Sequence, residues 1–216
     1  MAAVIFDLDG TLVDSAADIH AAVNLLLTEE GHPGLTRAQV TAMVGAGVGV
    51  LLDRVIAATG LNPAGRDRLL TRFMLIYEQG SANLTQPYPG VSAALADLSR
   101  AGLTLGLCTN KPLRPTLAIL TALGWQDHFA SVICGDSLPT RKPDPAMLHA
   151  CVAGVGGGPV LFVGDSEVDA ETAHAAGVGF LLFTEGYRKS PVSALNPLAS
   201  FNGYAGLPAL VARCMA

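Results

Sequence analysis

The chain has 216 residues, of which 50 % are hydrophobic and 14 % are charged, and it carries a formal net charge of −5 at pH 7. This length allows one core domain with an insertion or two small domains, and the low charged fraction is typical of a parallel sheet buried on both faces. The acidic balance argues against a nucleic-acid partner, and the apolar windows end well before the roughly 20 residues that a membrane span requires.

Targeting signals and cysteine spacing favour the cytoplasm. No basic segment precedes the first apolar stretch, so no secretory signal peptide is expected. The four cysteines show no Cys-x-x-Cys spacing, which predicts reduced thiols. We therefore expect a cytoplasmic protein, monomeric or homodimeric, with no nucleic-acid or membrane partner.

The first predicted element is an apolar strand within residues 2–12 that delivers two carboxylates, Asp7 and Asp9, into a glycine turn. Side chains two apart on a strand point to the same face, and the carboxyl ends of parallel strands are where open α/β sheets hold their ligands. Two acids at that edge are costly unless a cation or a substrate uses them. A strand that simply ends in polar turn residues is the alternative interpretation.

Residues 15–83 show helical periodicity and predict a helical insertion. Apolar residues recur at helical spacing in three stretches: Ile19, Ala22, Val23 and Leu26; Val48, Leu51, Leu52 and Val55; and Leu69, Phe73 and Tyr77. The insertion ends at the Gln-Pro-Tyr-Pro-Gly stretch of residues 86–90, which is rigid and prone to turn. We therefore predict a core domain of residues 1–14 and 84–216, interrupted by a helical cap domain of residues 15–83.

Helices and strands alternate after residue 90. Helices are predicted over residues 91–100, 113–123, 145–153 and 168–176, and strands over residues 103–108, 131–134, 160–163 and 178–183. Strands separated by single helices imply right-handed crossovers and a parallel sheet. The expected fold class is α/β, a doubly wound Rossmann-like parallel sheet that includes the first strand, with a small α-helical cap inserted.

Three further polar groups follow predicted strands. Thr109 and Asn110 end the strand at 103–108, Lys142 stands in a Lys-Pro-Asp-Pro stretch, and Asp165 and Asp169 lie four apart at a helix start. A buried lysine would offset repulsion between a carboxylate nucleophile and a phosphate, because a unit charge pair at 4 Å is worth about 4 kcal/mol at an effective dielectric near 20. Taken singly, each group also fits a turn, a solvated lysine or a helix N-cap.

Together, these stretches resemble the four motifs of the haloacid dehalogenase superfamily, in the same order. The first, Asp-Leu-Asp-Gly-Thr-Leu-Val-Asp-Ser over residues 7–15, is similar to that superfamily's opening motif. Members are mostly magnesium-dependent phosphatases and phosphomutases. The resemblance therefore implies a phosphatase that acts on a small phosphorylated metabolite.

The resemblance also implies a role for each motif residue. Asp7 would be the nucleophile, forming an aspartyl-phosphate, and Asp9 the general acid and base. Thr109, Asn110 and Lys142 would bind the phosphoryl group. Mg²⁺, which suits hard oxygen ligands, would be held by the Asp7 carboxylate, the Asp9 backbone carbonyl and the Asp165 carboxylate, with Asp169 behind them or acting through water. Lys111 follows Thr109 closely and is left without a role.

The segment Met-Val-Gly-Ala-Gly-Val-Gly-Val-Leu-Leu-Asp-Arg over residues 43–54 resembles the cap loop of the phosphoglycolate phosphatases within this superfamily. It implies that Gly45, Ala46, Gly47 and Arg54 recognise the non-phosphate end of a small substrate such as 2-phosphoglycolate, with help from a helix N-terminus. A flexible turn beside a solvated Arg54 is the structural alternative. Similar loops occur in sugar-phosphate phosphatases and β-phosphoglucomutase, so these activities stay open.

Other activities fit less well. Dehalogenases of the superfamily typically lack the second aspartate, so Asp9 disfavours that reaction, and the absence of any lysine before Lys111 disfavours a Schiff base formed from the cap. A phospho-accepting signalling receiver or a non-catalytic binding protein is the alternative of another class. Receivers have neither an inserted cap nor an acid two residues after the phosphorylated aspartate.

Overall fold

Six parallel strands form the central sheet of the computed structural model, which describes residues 2–216. The strands are β1 (Ala3–Phe6), β4 (Thr104–Cys108), β5 (Ser131–Ile133), β6 (Val160–Gly164), β7 (Gly179–Phe183) and β8 (Ala199–Phe201). Their order in the sheet is β5-β4-β1-β6-β7-β8. Outside this sheet, β2 (Val13–Asp14) pairs antiparallel with β3 (Gln86–Pro87). The strand order reverses beside β1, and ligands of such sheets bind outside the carboxyl ends of the strands at that point.

The sheet is buried on both faces because its central strand is apolar throughout. In β1, Val4 and Phe6 belong to one hydrophobic cluster, and Ala3 and Ile5 belong to the cluster on the opposite face, as the period of two in a strand requires. Burying each such large side chain contributes about 1.5–3 kcal/mol. The first strand is thereby placed at the centre of the molecule, with its carboxyl end at the switch point.

Five helices cover the two faces of the sheet. Helices α5 (Val91–Arg100), α6 (Leu113–Ala122) and α9 (Leu207–Met215) contribute to the cluster that contains Phe6. Helices α7 (Ala146–Gly154) and α8 (Glu167–Ala176) contribute to the cluster that contains Ile5. The expected α/β fold with a parallel sheet is confirmed.

The helical insertion, residues 15–83, has a hydrophobic cluster of its own. It contains α1 (Ala16–Glu29), α2 (Arg37–Thr41), α3 (Val48–Thr59) and α4 (Arg66–Gly80), whose apolar stripes meet in a third cluster. Exposed ion pairs, including Arg68 with Glu30, join α1 to α4 and contribute little stability. That the insertion is a separate domain with the predicted boundaries stays a prediction.

Two parts of the fold had no counterpart in the predicted elements. The β2–β3 pair is only two residues long on each side, too short for a periodic pattern. Strand β8 and helix α9 lie beyond residue 183, where the predicted alternation stopped. Strand β8 is short and is paired only with β7, so its position depends on the tertiary structure.

The model also bears on membrane segments and thiols. Within residues 2–216, no helix is long and apolar enough to cross a membrane. The four cysteines are free, and Cys108, Cys134 and Cys151 are buried.

Candidate active site

Four strand ends and loops bring polar side chains to one edge of the sheet. The backbone N–H of Asp7 donates to Val163 O at 2.9 Å, which continues the parallel pairing of β1 with β6 past the last residue of β1 and brings Asp7 beside Gly164, the residue before Asp165. Gly10 turns the chain away with φ of 87°. A side chain at Gly10 would collide with the Asp165 carboxylate, so this turn requires glycine.

Three carboxylates form the centre of the site. Asp7, Asp165 and Asp169 are all buried, and one oxygen from each lies within 4.8 Å of the others. Lys142 Nζ lies 2.9 Å from Asp7 Oδ1 and 2.7 Å from Asp169 Oδ1, and only 1 % of the lysine side chain is exposed. Three acids therefore face one cation, which leaves an excess of negative charge in a buried place.

The charges of this cluster shift its pKa values. Burial raises the pKa of Asp7 to about 6, with Lys142 acting in the opposite direction and Asp169 adding to the rise. Burial and the neighbouring Asp169 and Asp7 raise the pKa of Asp165 well above its ordinary value. For Lys142, burial opposes the charge, but Asp169 and Asp7 outweigh it and raise the pKa above the ordinary value. Lys142 is thus an ammonium, and the acids repel one another.

Asp169 has its hydrogen-bonding capacity filled by protein groups. One oxygen accepts from Lys142 Nζ, and the other accepts from the backbone N–H of Asp165 and from the N–H and hydroxyl of Ser166. A carboxylate offers about four lone-pair sites. Asp169 therefore orients Lys142 and the start of α8, whereas Asp7 and Asp165 line the adjoining cavity.

Asp9 faces a different set of partners. Its carboxylate accepts from the Ser15 hydroxyl at 2.5 Å and from Lys111 Nζ at 2.8 and 3.1 Å. Lys111 also donates to the hydroxyl of Tyr77, from α4. Burial lowers the pKa of Lys111, but Asp9 and Tyr77 outweigh it and raise the value above the ordinary one. Burial raises the pKa of Tyr77 to about 12, so Tyr77 is neutral and accepts the bond.

The residues predicted to bind phosphate lie close to this cluster. Thr109 is buried, and its hydroxyl accepts from the N–H of Lys111 at 3.3 Å. The Asn110 side chain accepts from Lys142 N at 3.0 Å and donates to Lys142 O at 2.9 Å and Gly45 O at 3.2 Å. The Asn110 amide thus holds the backbone of Lys142 and of the 45–47 loop in place.

The predicted specificity residues line two adjoining cavities. The outer cavity, about 290 Å³, is bordered by Gly45, Ala46, Arg54, Asp165 and other residues. The inner cavity, about 40 Å³, includes Gly45 and Gly47. Arg54 donates to Met43 O at 2.7 Å. Asp7, Asp9, Val44 and Gly45 border both cavities.

Three contributors to the site were not found by sequence reasoning. The sequence left Lys111 without a role, and only the scarcity of lysine in the chain drew attention to it. Tyr77 was predicted only as a member of an apolar helix stripe. No sequence signal pointed to Tyr187. Its N–H donates to Asp165 Oδ2 at 2.6 Å, and its hydroxyl donates to Asp14 Oδ1 at 2.8 Å and accepts from the N–H of Ser15 at 2.9 Å.

The chain is similar to known proteins over its full length. It is 51 % identical to the phosphoglycolate phosphatase of Cereibacter sphaeroides, covering 100 % of both chains, and 43 % identical to that of Rhodospirillum rubrum, covering 95 % of this chain and 88 % of the relative. A crystal structure of a predicted phosphoglycolate phosphatase from Haemophilus somnus has a TM-score of 0.91 at 31 % identity and covers 97 % of each chain.

The family described as haloacid dehalogenase-like hydrolase matches residues 1–177. This match confirms the resemblance drawn from the four motifs and excludes a signalling receiver. The chain belongs to the haloacid dehalogenase-like hydrolase family.

Proposed function

We propose that this protein is a magnesium-dependent phosphatase that hydrolyses 2-phosphoglycolate to glycolate and phosphate. The observation that carries the proposal is the meeting of Asp7, Lys142 and Asp165 beside a cavity that Gly45 and Ala46 border. The full-length relatives that are named phosphoglycolate phosphatase support the substrate. The free thiols favour a reducing compartment, the cytoplasm.

The chemistry is divided between two aspartates. Asp7 attacks phosphorus, so that a bond from its carboxylate oxygen to phosphorus forms while the ester P–O bond breaks, and Asp9 donates a proton to the departing glycolate oxygen. Asp9 then takes a proton from water as the water oxygen attacks the aspartyl-phosphate, which releases phosphate and restores Asp7. Thr109 and Lys142 hold the phosphoryl oxygens, and Asn110 positions Lys142.

The donor set of the site fits Mg²⁺. The candidate ligands are all oxygens, the Asp7 and Asp165 carboxylates and the Asp9 backbone carbonyl, and three buried acids outnumber the one lysine that contacts two of them. When bound, the metal supplies positive charge that offsets these acids and the phosphoryl group. Asp169, whose oxygens are engaged by Lys142 and Ser166, supports the site from behind.

The helical insertion of residues 15–83 acts as a cap on the core of residues 1–14 and 84–216. Its 45–47 loop borders both cavities next to Asp7 and Asp9, so its position decides how much water reaches the phosphoryl group. Gly45, Ala46, Gly47 and Arg54 shape the part of the site that receives the rest of the substrate.

Phosphate release from small phosphomonoesters tests the proposal. The panel contains 2-phosphoglycolate, glucose 6-phosphate and p-nitrophenyl phosphate, with either Mg²⁺ or EDTA. We expect strong preference for 2-phosphoglycolate, loss of activity in EDTA and loss in Asp7→Asn, while Asp67→Asn, whose side chain is 99 % exposed, retains full activity. Preference for the sugar phosphate would contradict the assignment of 2-phosphoglycolate as the substrate. Turnover by Asp7→Asn would contradict the assignment of Asp7 as the nucleophile.

A further inference from the structure

Lys111 is a buried cation that the proposed chemistry does not use. Only 1 % of its side chain is exposed, and its ammonium group contacts both oxygens of Asp9 and the hydroxyl of Tyr77. Burying a charge is costly unless it is paired. Lys142 already provides a cation for the phosphoryl group. The presence of a second buried lysine beside the site therefore requires another explanation.

The inner cavity in front of Lys111 is small and mostly apolar. Its polar lining includes Asp9, Lys111 and Tyr77, and its apolar wall consists of Ile19, Val44, Val48, Leu51 and Phe73. Its volume of about 40 Å³ has room for on the order of three water molecules. The space therefore suits a small group, and Lys111 supplies its positive charge beside the carboxylates of Asp7 and Asp9.

Lys111 changes partner if Asp9 acts on the substrate. In the structure, Asp9 neutralises Lys111. An Asp9 that carries the proton for the ester oxygen is neutral, so it no longer balances the charge of Lys111 and leaves a buried ammonium with neutral partners such as Tyr77. An anionic group on the substrate would restore the pair. A carboxylate bonded to the carbon next to the ester oxygen would be close to Asp9, and hence to Lys111.

We propose that Lys111 binds the carboxylate of the substrate in the inner cavity, passing from Asp9 to that carboxylate when the substrate enters. The proposal rests on the proposed phosphatase function and adds its specificity-determining residue. It accounts for selection of small phosphorylated acids over neutral phosphate esters, because a neutral leaving group leaves Lys111 without a full anionic partner.

Other cations near the site are less suited to this role. Arg54 borders the outer cavity, and its guanidinium is engaged by the backbone oxygen of Met43. Lys189 also borders the outer cavity and is exposed. Lys142 is paired with Asp7 and Asp169. Of these lysines and arginines, Lys111 alone lines the small inner cavity.

The test compares 2-phosphoglycolate with 2-hydroxyethyl phosphate, which carries a neutral hydroxymethyl group in place of the carboxylate. We expect Lys111→Met to lower the ratio of the two kcat/KM values by about 10- to 100-fold, the range for a hydrogen bond to a charged group. Lys111→Arg should recover part of the ratio because it keeps the charge. Arg68→Met, which removes an exposed cation paired with Glu30, is the matched control and should leave the ratio close to that of the unmodified protein.

Equal losses of kcat/KM on both esters in Lys111→Met would overturn the proposal, since they would mean that Lys111 only orients Asp9. A ratio that falls in Arg54→Met and not in Lys111→Met would also overturn it. Calorimetric binding of both esters to Asp7→Asn, with and without Lys111→Met, tests the same selectivity without turnover. We expect the carboxylate-bearing ester to lose 10- to 100-fold in affinity and the neutral ester much less. If the unmodified protein hydrolyses neither ester, the phosphatase function fails, and this binding comparison still decides the role of Lys111.

Discussion

Asp7 borders the proposed substrate cavity and is otherwise buried among other acids. Burial raises its pKa to about 6, against the attraction of Lys142, so the ionised carboxylate is under electrostatic strain without a cation. A nucleophile needs that charge, and the folded protein is less stable because of it. Function and stability therefore make opposite demands on this residue.

Asp7→Asn should stabilise the metal-free protein at neutral pH. A carboxyl pKa raised to about 6 in the folded state means that the folded protein binds the proton more tightly than the unfolded chain, so stability falls as pH rises through that value. Removing the charge should raise the free energy of unfolding by about 1–3 kcal/mol at pH 7.5 and by about half as much at pH 5, which lies between the ordinary carboxyl pKa and the raised one. Urea unfolding in EDTA at the two pH values measures this.

Asp67→Asn, at an exposed position, is the control and should show no such pH dependence. A less stable Asp7→Asn protein at pH 7.5 would contradict the prediction. Adding saturating Mg²⁺ should reverse the order of stability, because the metal binds the folded unmodified protein and not the variant with a weakened site.

The loop after β7 shows how an element positions a site without contributing a motif. Gly186 passes so close to β1 and β6 that a Cβ there would overlap Asp165 and the backbone oxygen of Gly10. The next residue, Tyr187, then binds Asp165 through its N–H and Asp14 through its hydroxyl. The loop thus holds Asp165 in place and also contacts the start of the helical insertion.

Gly186→Ala should displace this loop from Asp165. We expect kcat/KM to fall at least about 10-fold, the Mg²⁺ concentration for half-maximal activity to rise, and stability to fall by about 1–3 kcal/mol, as overpacking of a tight contact does. Steady-state kinetics across a Mg²⁺ series and urea unfolding measure these effects. Gly203→Ala, where an added Cβ meets no atom within 4 Å, should be close to neutral; similar losses in both variants would contradict the explanation.

Across the whole molecule, the helical insertion is tied to the returning chain by a buried carboxylate. Asp18, on α1, accepts from the N–H groups of Leu84 and Thr85 and from the Thr85 hydroxyl at 2.7–3.0 Å. These bonds join the beginning of the insertion to its end.

Asp18→Ala should loosen this connection. The buried N–H and hydroxyl of Thr85 and the part-buried N–H of Leu84 lose their acceptor. A buried group left unsatisfied costs about 1–3 kcal/mol, so we expect stability to fall by about 2–4 kcal/mol and limited proteolysis to increase at residues 80–90. Urea unfolding and mass mapping of the fragments measure both. Asp67→Ala provides the exposed control, and unchanged proteolysis in Asp18→Ala would argue against a structural role for this contact.

The sequence determined the order of the elements, the parallel sheet and the four polar motifs, because periodicity and strand ends are local properties of the chain. Asp7 and Asp165 could be placed at one edge for this reason, and the family they indicated is confirmed. Their assigned roles, like the domain boundaries, stay predictions.

Only the tertiary structure decided which side chains meet. Lys111 pairs with Asp9 across 102 positions and contacts Tyr77 across 34, and Tyr187 binds Asp14 across 173. The carboxylate oxygens of Asp169 accept hydrogen bonds from Lys142 and Ser166. Such contacts arise from the packing of distant elements around a shared cavity, and no local pattern records them, because the pairing of buried charges depends on the neighbours that folding supplies.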